Sequence, residues 1–171
     1  MEVFQNLWIS FPAAYLIGSI PTSYWIGRTF FKTNLLEHGS KNVGATNAWR
    51  VLGPPVGIIV LVFDMLKGFL PVYFSLKIFP PSSILPILIG ITCVVGHSLS
   101  PFLKFKGGKG VATSAGIFLA LAPLALGACL VIFVVLVALT RYVSLGSIIA
   151  CLAFPALSYH FYPQQPLDRK S

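Results

Sequence analysis

Apolar residues come in long blocks along this chain, and the polar residues between them gather into short islands. The blocks run from about Leu7 to Gly27, Val56 to Leu76, Ile84 to Phe102, Val111 to Thr140, and from just after Arg141 to about Tyr162. Blocks of that length call for lipid, because a helix needs ~20 mostly apolar residues to cross a bilayer. Val111–Thr140 is too long for one crossing: as a single helix it would reach ~45 Å against a hydrocarbon core of ~30 Å. Pro123 is the expected break, leaving a short piece, Val111–Ala122, and a fuller one, Pro123–Thr140. The short piece falls below spanning length and is expected to line a cavity inside the protein. The pattern predicts an all-α, polytopic integral membrane helical bundle of about six spans. It is read as a single domain, with short broken helices around a site facing the cytoplasm.

Composition settles the class. Of 171 residues, 56% are apolar and 9% charged, with a mean hydropathy of +0.86; a soluble domain carries ~25% charged residues. The net charge of +8 is then first an orientation signal. Arg28 and Lys32 follow the first block, which places the N-terminus outside and the first loop inside. No extended basic surface exists outside the short loops, so nucleic acid is excluded as a partner. Glu2 ahead of the first block, where a signal peptide would carry basic residues, and Pro12 within it mark a retained span. Lys77–Ser83, with Pro80-Pro81, reads as a short outer turn, and Pro163–Ser171 as a polar tail. Cys93, Cys129 and Cys151 lie in apolar runs and read as small buried residues; His38, His97 and His160 are isolated from one another. No disulfide framework, metal site or cofactor is expected.

Three polar islands carry the candidate chemistry. The first, His38-Gly-Ser-Lys-Asn-Val-Gly-Ala-Thr-Asn-Ala-Trp-Arg50, lies in a loop of ~26 residues, long enough to suggest function. Ser40, Asn42, Thr46 and Asn47 supply hydrogen bonds, Lys41 and Arg50 supply charge, and Gly39 and Gly44 let the backbone approach a ligand closely. The second, Lys104-Phe-Lys-Gly-Gly-Lys-Gly110, has the composition of a phosphate loop but neither its full spacing nor a preceding strand, so nucleotide hydrolysis is a weak reading. An ordinary positive-inside loop explains its lysines but not its three glycines, and anion binding is favoured. The third, Arg141-Tyr-Val-Ser-Leu-Gly-Ser147, sets Ser144 and Ser147 on one face near a helix start, a place suited either to an anion or to close helix packing. Within the second block Asp64 and Lys67 share a helix face. They read equally as a structural pair or as functional groups. His97, in Gly96-His-Ser-Leu-Ser-Pro101, reads as a packing histidine or as a site residue. All three islands are expected on one membrane face, an arrangement suited to a reaction that joins two phosphorylated molecules, one of them a lipid.

These residues carry a resemblance. Gly-Ser-Lys-Asn-Val-Gly-Ala-Thr-Asn with Arg50, Asp64-Met-Leu-Lys-Gly68, Gly96-His97 with Lys-Phe-Lys-Gly-Gly-Lys-Gly-Val-Ala-Thr113, and Arg-Tyr-Val-Ser144 resemble the bacterial acyl-phosphate–glycerol-3-phosphate acyltransferase family, in the right order from about Gly18 to Ser147. The resemblance implies transfer of a fatty acyl group from acyl phosphate to the 1-hydroxyl of glycerol 3-phosphate, giving lysophosphatidic acid, with no cofactor. It implies a multi-pass protein of the bacterial inner membrane, in contact with membrane lipids and with the soluble enzyme that makes acyl phosphate as a partner. Ser40, Arg50 and Lys109 would be catalytic. Asn42, Gly44, Thr46, Asn47, His97, Gly107, Gly108, Ser144 and Ser147 would bind substrate.

Two departures accompany the resemblance. Lys41 stands where the family more often has glycine. The family also continues into a seventh span with a His-Arg-x-Asn-Ile-x-Arg-Leu type segment and a nearby Glu, which nothing here matches, so a catalytically impaired member is one alternative. A small anion- or lipid-binding membrane transporter is another. An acyl-CoA transferase of the His-x-x-x-x-Asp type is disfavoured, because the position five after His97 is Phe102.

Overall fold

The computed structural model describes residues 2–80 and 83–163, with only the backbone given for 2–6. The Pro81 part of the outer turn and residues 164–171 of the tail therefore lie outside the described residues. Among the described residues eight α-helices follow in order: α1 Glu2–Ser19, α2 Thr22–Phe30, α3 Ala45–Leu52, α4 Pro54–Ile78, α5 Leu85–Ser98, α6 Val111–Leu121, α7 Pro123–Thr140 and α8 Val143–Phe161, with a 3-10 turn at Pro101–Leu103. No strand occurs among the described residues. Among the described residues four stretches are long and apolar enough to cross a membrane: Pro54–Ile78, Leu85–Leu103, Pro123–Thr140 and Val143–Phe161. Leu7–Ser19 and Val111–Leu121 are shorter apolar helices.

The break expected at Pro123 is present, with α6 ending at Leu121 and α7 starting at Pro123. A second break was not anticipated. The run expected as one span from Leu7 to Gly27 is divided, with α1 ending at Ser19 and α2 beginning at Thr22. Pro21 is the cause, since it offers no N–H to the preceding turn and disfavours helical geometry at Ile20. By contrast, Pro12 sits inside α1 and Pro71 inside α4 without ending either helix.

The described residues fall into two compact units, residues 1–120 and 121–171. In the first, α1 packs along α5 through small residues. A side chain at Gly18 would strike the backbone of Cys93, and one at Gly96 would strike the Tyr15 carbonyl and Ser19. α4 meets α6 in the same way, at Gly68 against Thr113 and at Gly116 against Met65. Such contacts let backbones approach closely where apolar side chains gain little by leaving lipid. Ala14, Phe79, Ile89 and Cys93 form one buried cluster, and Leu35, Ala48, Val56 and Val60 form another beneath the first polar loop.

In the second unit α7 lies against α8, with the Cys129 Sγ 3.3 Å from the Ala150 carbonyl oxygen. The outer faces expose Val131, Val134, Leu139 and Leu152, surface that lipid solvates. Cys151, expected among the buried cysteines, is exposed on α8, whereas Cys93 and Cys129 are buried. An apolar run in a membrane protein has lipid-facing as well as core-facing positions, and only packing separates them.

The crossing of α3 on α4 is set by Gly57, where an added Cβ would lie 2.6 Å from the Trp49 Cβ and 2.8 Å from its Cα. Because Arg50 follows Trp49, Gly57→Val should push α3 off α4, lower stability by about 2 kcal/mol and reduce activity through Arg50. Thermal unfolding in detergent together with an activity assay checks this.

Candidate active site

The first polar island folds as a loop running into α3. Its organiser is Asn47, 1% exposed. Its Oδ1 accepts the Ser40 N–H at 2.8 Å, while its Nδ2 faces the carbonyls of Asn42 at 2.9 Å, His38 at 3.1 Å and Leu35 at 3.2 Å. Asn47, expected to contact substrate, is thus occupied inside the loop. Ser40, Thr46 and Arg50 are exposed, and Asn42 and Gly44 are half-buried. Gly44 precedes α3 as its N-cap and offers no side-chain hydrogen bond to the first turn. That end of α3 therefore presents backbone N–H groups beside exposed Ser40 and Thr46, a setting that favours an anion.

The second island folds back onto the end of α5. The Gly107 N–H donates to the Ser98 carbonyl and the Gly108 N–H to the His97 carbonyl, each at 3.0 Å. His97 is buried, and a side chain at Gly108 would collide with its Nε2. The glycines at 107 and 108 are therefore required by contact with α5, a reason separate from any ligand. Lys109 is exposed beside them. Thr113, in the first turn of α6, is fully buried and its hydroxyl has no hydrogen-bond partner.

Helix α2 touches the first island and the 3-10 turn that leads into the second. The Ser23 hydroxyl donates to the Val43 carbonyl at 2.7 Å, and Trp25 packs edge-on against Phe102 with ring centroids 5.6 Å apart. Neither Ser23 nor Trp25 was singled out in the sequence; the signal was Pro21, which creates the short helix that carries them. The first unit thus carries Ser40, Asn42, Gly44, Thr46, Asn47 and Arg50 on the first island and Gly107, Gly108 and Lys109 on the second, with His97 of α5 beneath the latter. Ser144 and Ser147 belong to the second unit. There Ser144 is exposed, and the Ser147 hydroxyl donates back to the Val143 carbonyl at 2.9 Å.

Asp64 and Lys67, expected on one face of a helix, form an ion pair of 2.8 Å within α4, the carboxylate 2% and the ammonium side chain 6% exposed. The Lys67 Nζ also donates to the Ile20 carbonyl at 2.9 Å. Among the described residues no three His, Cys, Asp or Glu side chains are grouped so as to hold a metal ion.

Helical membrane architecture with two glycine-bearing, cationic loops defines a multi-pass membrane protein with positive charge exposed on both loops. Residues 8–167 match the Glycerol-3-phosphate acyltransferase family, and the chain belongs to that family. It is 49% identical over 144 residues to the glycerol-3-phosphate acyltransferase of Listeria monocytogenes, covering 82% of this chain and 71% of that one. With the enzyme of the same description from Trichlorobacter lovleyi it is 46% identical over 159 residues, covering 93% and 79%. Among solved structures it is similar to PlsY (YgiH), an integral membrane glycerol 3-phosphate acyltransferase, in its glycerol 3-phosphate form. The TM-score is 0.85 at 36% identity, over 89% of this chain and 76% of that one. The lysophosphatidic acid form of the same protein gives 0.82.

Substitutions at two positions test the first loop. Asn47→Ala should cost about 2 kcal/mol and leave Arg50 poorly placed, seen as a lowered unfolding temperature with reduced activity. Lys41 takes a left-handed backbone conformation, φ 57°, so Lys41→Gly should raise stability by about 1 kcal/mol and Lys41→Val should lower it, read in the same melts.

Proposed function

We propose that this chain transfers a fatty acyl group from acyl phosphate to the 1-hydroxyl of glycerol 3-phosphate, giving lysophosphatidic acid and inorganic phosphate at the inner face of a bacterial cell membrane. The observation that carries the reading is the pair of exposed cationic loops, His38–Arg50 held by α2 through Ser23 and Lys104–Gly110 held on the end of α5. A reaction between two phosphorylated molecules needs two neighbouring anion sites. The relatives' acceptor, glycerol 3-phosphate, and product, lysophosphatidic acid, both fit.

Acyl phosphate is a mixed anhydride with a good leaving group, so the acceptor hydroxyl attacks directly and no serine or cysteine nucleophile is needed. The hydroxyl oxygen bonds to the acyl carbon, the bond from that carbon to the phosphate oxygen breaks, and the hydroxyl proton ends on the released phosphate. Catalysis then rests on positioning and charge. Arg50, Ser40, Thr46 and the backbone N–H groups around Gly44 hold one phosphate, with Asn42 at the rim and Asn47 keeping the loop's shape. Lys109 and the backbone at Gly107 and Gly108 hold the other, with His97 beneath them. Ser144 and Ser147, in the Arg141–Ser147 island, are assigned to substrate by the resemblance alone. The donor's own phosphate takes the proton; a pH–rate profile whose limbs move when a titratable side chain is replaced would overturn that step.

The decisive experiment supplies purified protein with acyl phosphate and glycerol 3-phosphate, with acyl-CoA as the control donor. Lysophosphatidic acid should form with acyl phosphate alone. Arg50→Ala and Lys109→Ala should each lower turnover by about 100-fold. Transport of anions without product would establish a transporter, and a folded wild-type chain without product would count against the reading.

A further inference from the structure

The turn between α1 and α2 leaves backbone carbonyls at the end of α1 without the donors a continuing helix would supply, because Pro21 has no N–H. The Ile20 N–H turns back to the Ile17 carbonyl at 3.3 Å and the Thr22 N–H to the Ile20 carbonyl at 3.1 Å, and side chains supply further donors. The Tyr15 carbonyl accepts the Ser19 hydroxyl at 2.7 Å, the Ser19 carbonyl accepts the Ser100 hydroxyl at 2.6 Å, and the Ile20 carbonyl accepts the Lys67 ammonium at 2.9 Å. The last donor reaches across from α4, is buried, and is aimed by Asp64 one turn before it. A cation is also the favoured charge at a helix C-terminus.

What lies beyond the break gives this bond a consequence. Three residues after Ile20, Ser23 holds the Val43 carbonyl, immediately before the Gly44 cap of α3 and its Arg50. Two residues further, Trp25 lies on Phe102 beside the Lys104–Gly110 loop. The start of α2 is thus tied to α4 by Lys67, and α2 reaches the first loop through Ser23 and the Pro101–Leu103 turn that precedes the second loop through Trp25. We propose that Lys67 is a positioning residue for the acyltransferase reaction: its bond to the Ile20 carbonyl sets the place of α2, and through Ser23 and Trp25 the placement of the two phosphate-holding loops. Asp64 serves to aim it. The inference rests on the assignment of those loops to phosphate binding.

The variants separate the carbonyl bond from the ion pair. Asp64→Asn keeps an acceptor beside Lys67 and leaves the bond to Ile20. Asp64→Asn/Lys67→Met removes the bond without stranding a carboxylate. In the full chain, purified and reconstituted in lipid, Asp64→Asn should keep KM for both phosphate substrates within about 2-fold of wild type. The double variant should raise KM for at least one of them about 3- to 10-fold with little change in kcat. Its unfolding temperature should stay close to that of Asp64→Asn. Asp64→Asn/Lys67→Gln, which restores a neutral donor, should recover most of the loss. Ser23→Ala should raise KM in the same way, and adding it to the double variant should do little more, since both cut one link.

A double variant with the KM of Asp64→Asn overturns the proposal, as do strictly additive effects with Ser23→Ala. If the double variant does not fold, Ser23→Ala decides alone, and an unchanged KM there refutes the relay through α2. A wild-type chain that makes no product defeats the proposed reaction instead. The variants are then compared by the rise in unfolding temperature on adding glycerol 3-phosphate. That rise must be kept in Asp64→Asn and lost in the double variant; any other pattern, including no rise in wild type, overturns the positioning role.

Discussion

An ammonium group buried in the apolar part of a membrane protein has to find oxygen atoms, and Lys67 finds two: a carboxylate on its own helix and a carbonyl on another. Removing one partner of a buried pair costs about 3–5 kcal/mol, because the other charge is left without compensation. The surrounding helices are therefore constrained to keep all three groups together. The same contact makes the break at Pro21 tolerable. Irregular backbone at membrane depth survives only where protein satisfies its polar groups, and here Lys67, Ser19 and Ser100 satisfy the end of α1.

Close packing then converts that fixed break into a site. Gly57 lets α3 lie on α4, and Gly107 and Gly108 let the second loop lie on the end of α5 over His97. Asn47 turns inward and ties four loop residues, while Ser40, Thr46 and Arg50 stay exposed. Rigid backing under exposed charge is what a reaction dependent on positioning needs, since small misplacements of the reacting groups carry large losses in rate.

Much of this was legible in the chain itself. Block lengths and the scarcity of charge determined a helical membrane protein, and a long run containing Pro123 required a break there, because one helix of that length overshoots the bilayer. Spacing alone placed Asp64 and Lys67 on one face. The paired motifs that resemble the acyltransferase family lay in plain view, since ligand-binding polar groups stand out against apolar surroundings.

Other features depended on where distant residues meet. The break at Pro21 was hidden because proline is tolerated inside α1 and α4, and only the donors available around a bend decide whether it is stable. Asn47 was read as a substrate contact because an amide serves equally well for a phosphate or for the loop's own backbone; its bonds to that backbone appear only in the folded loop. Cys151 and Cys129 sit in similar apolar surroundings, yet one faces outward and the other the neighbouring helix. The sequence by itself determined the class of protein and the residue types its chemistry uses, because hydropathy and local spacing are one-dimensional properties. Which carbonyl Lys67 reaches, and hence what α2 holds in place, was decided by the tertiary structure, because that bond joins residues 47 positions apart.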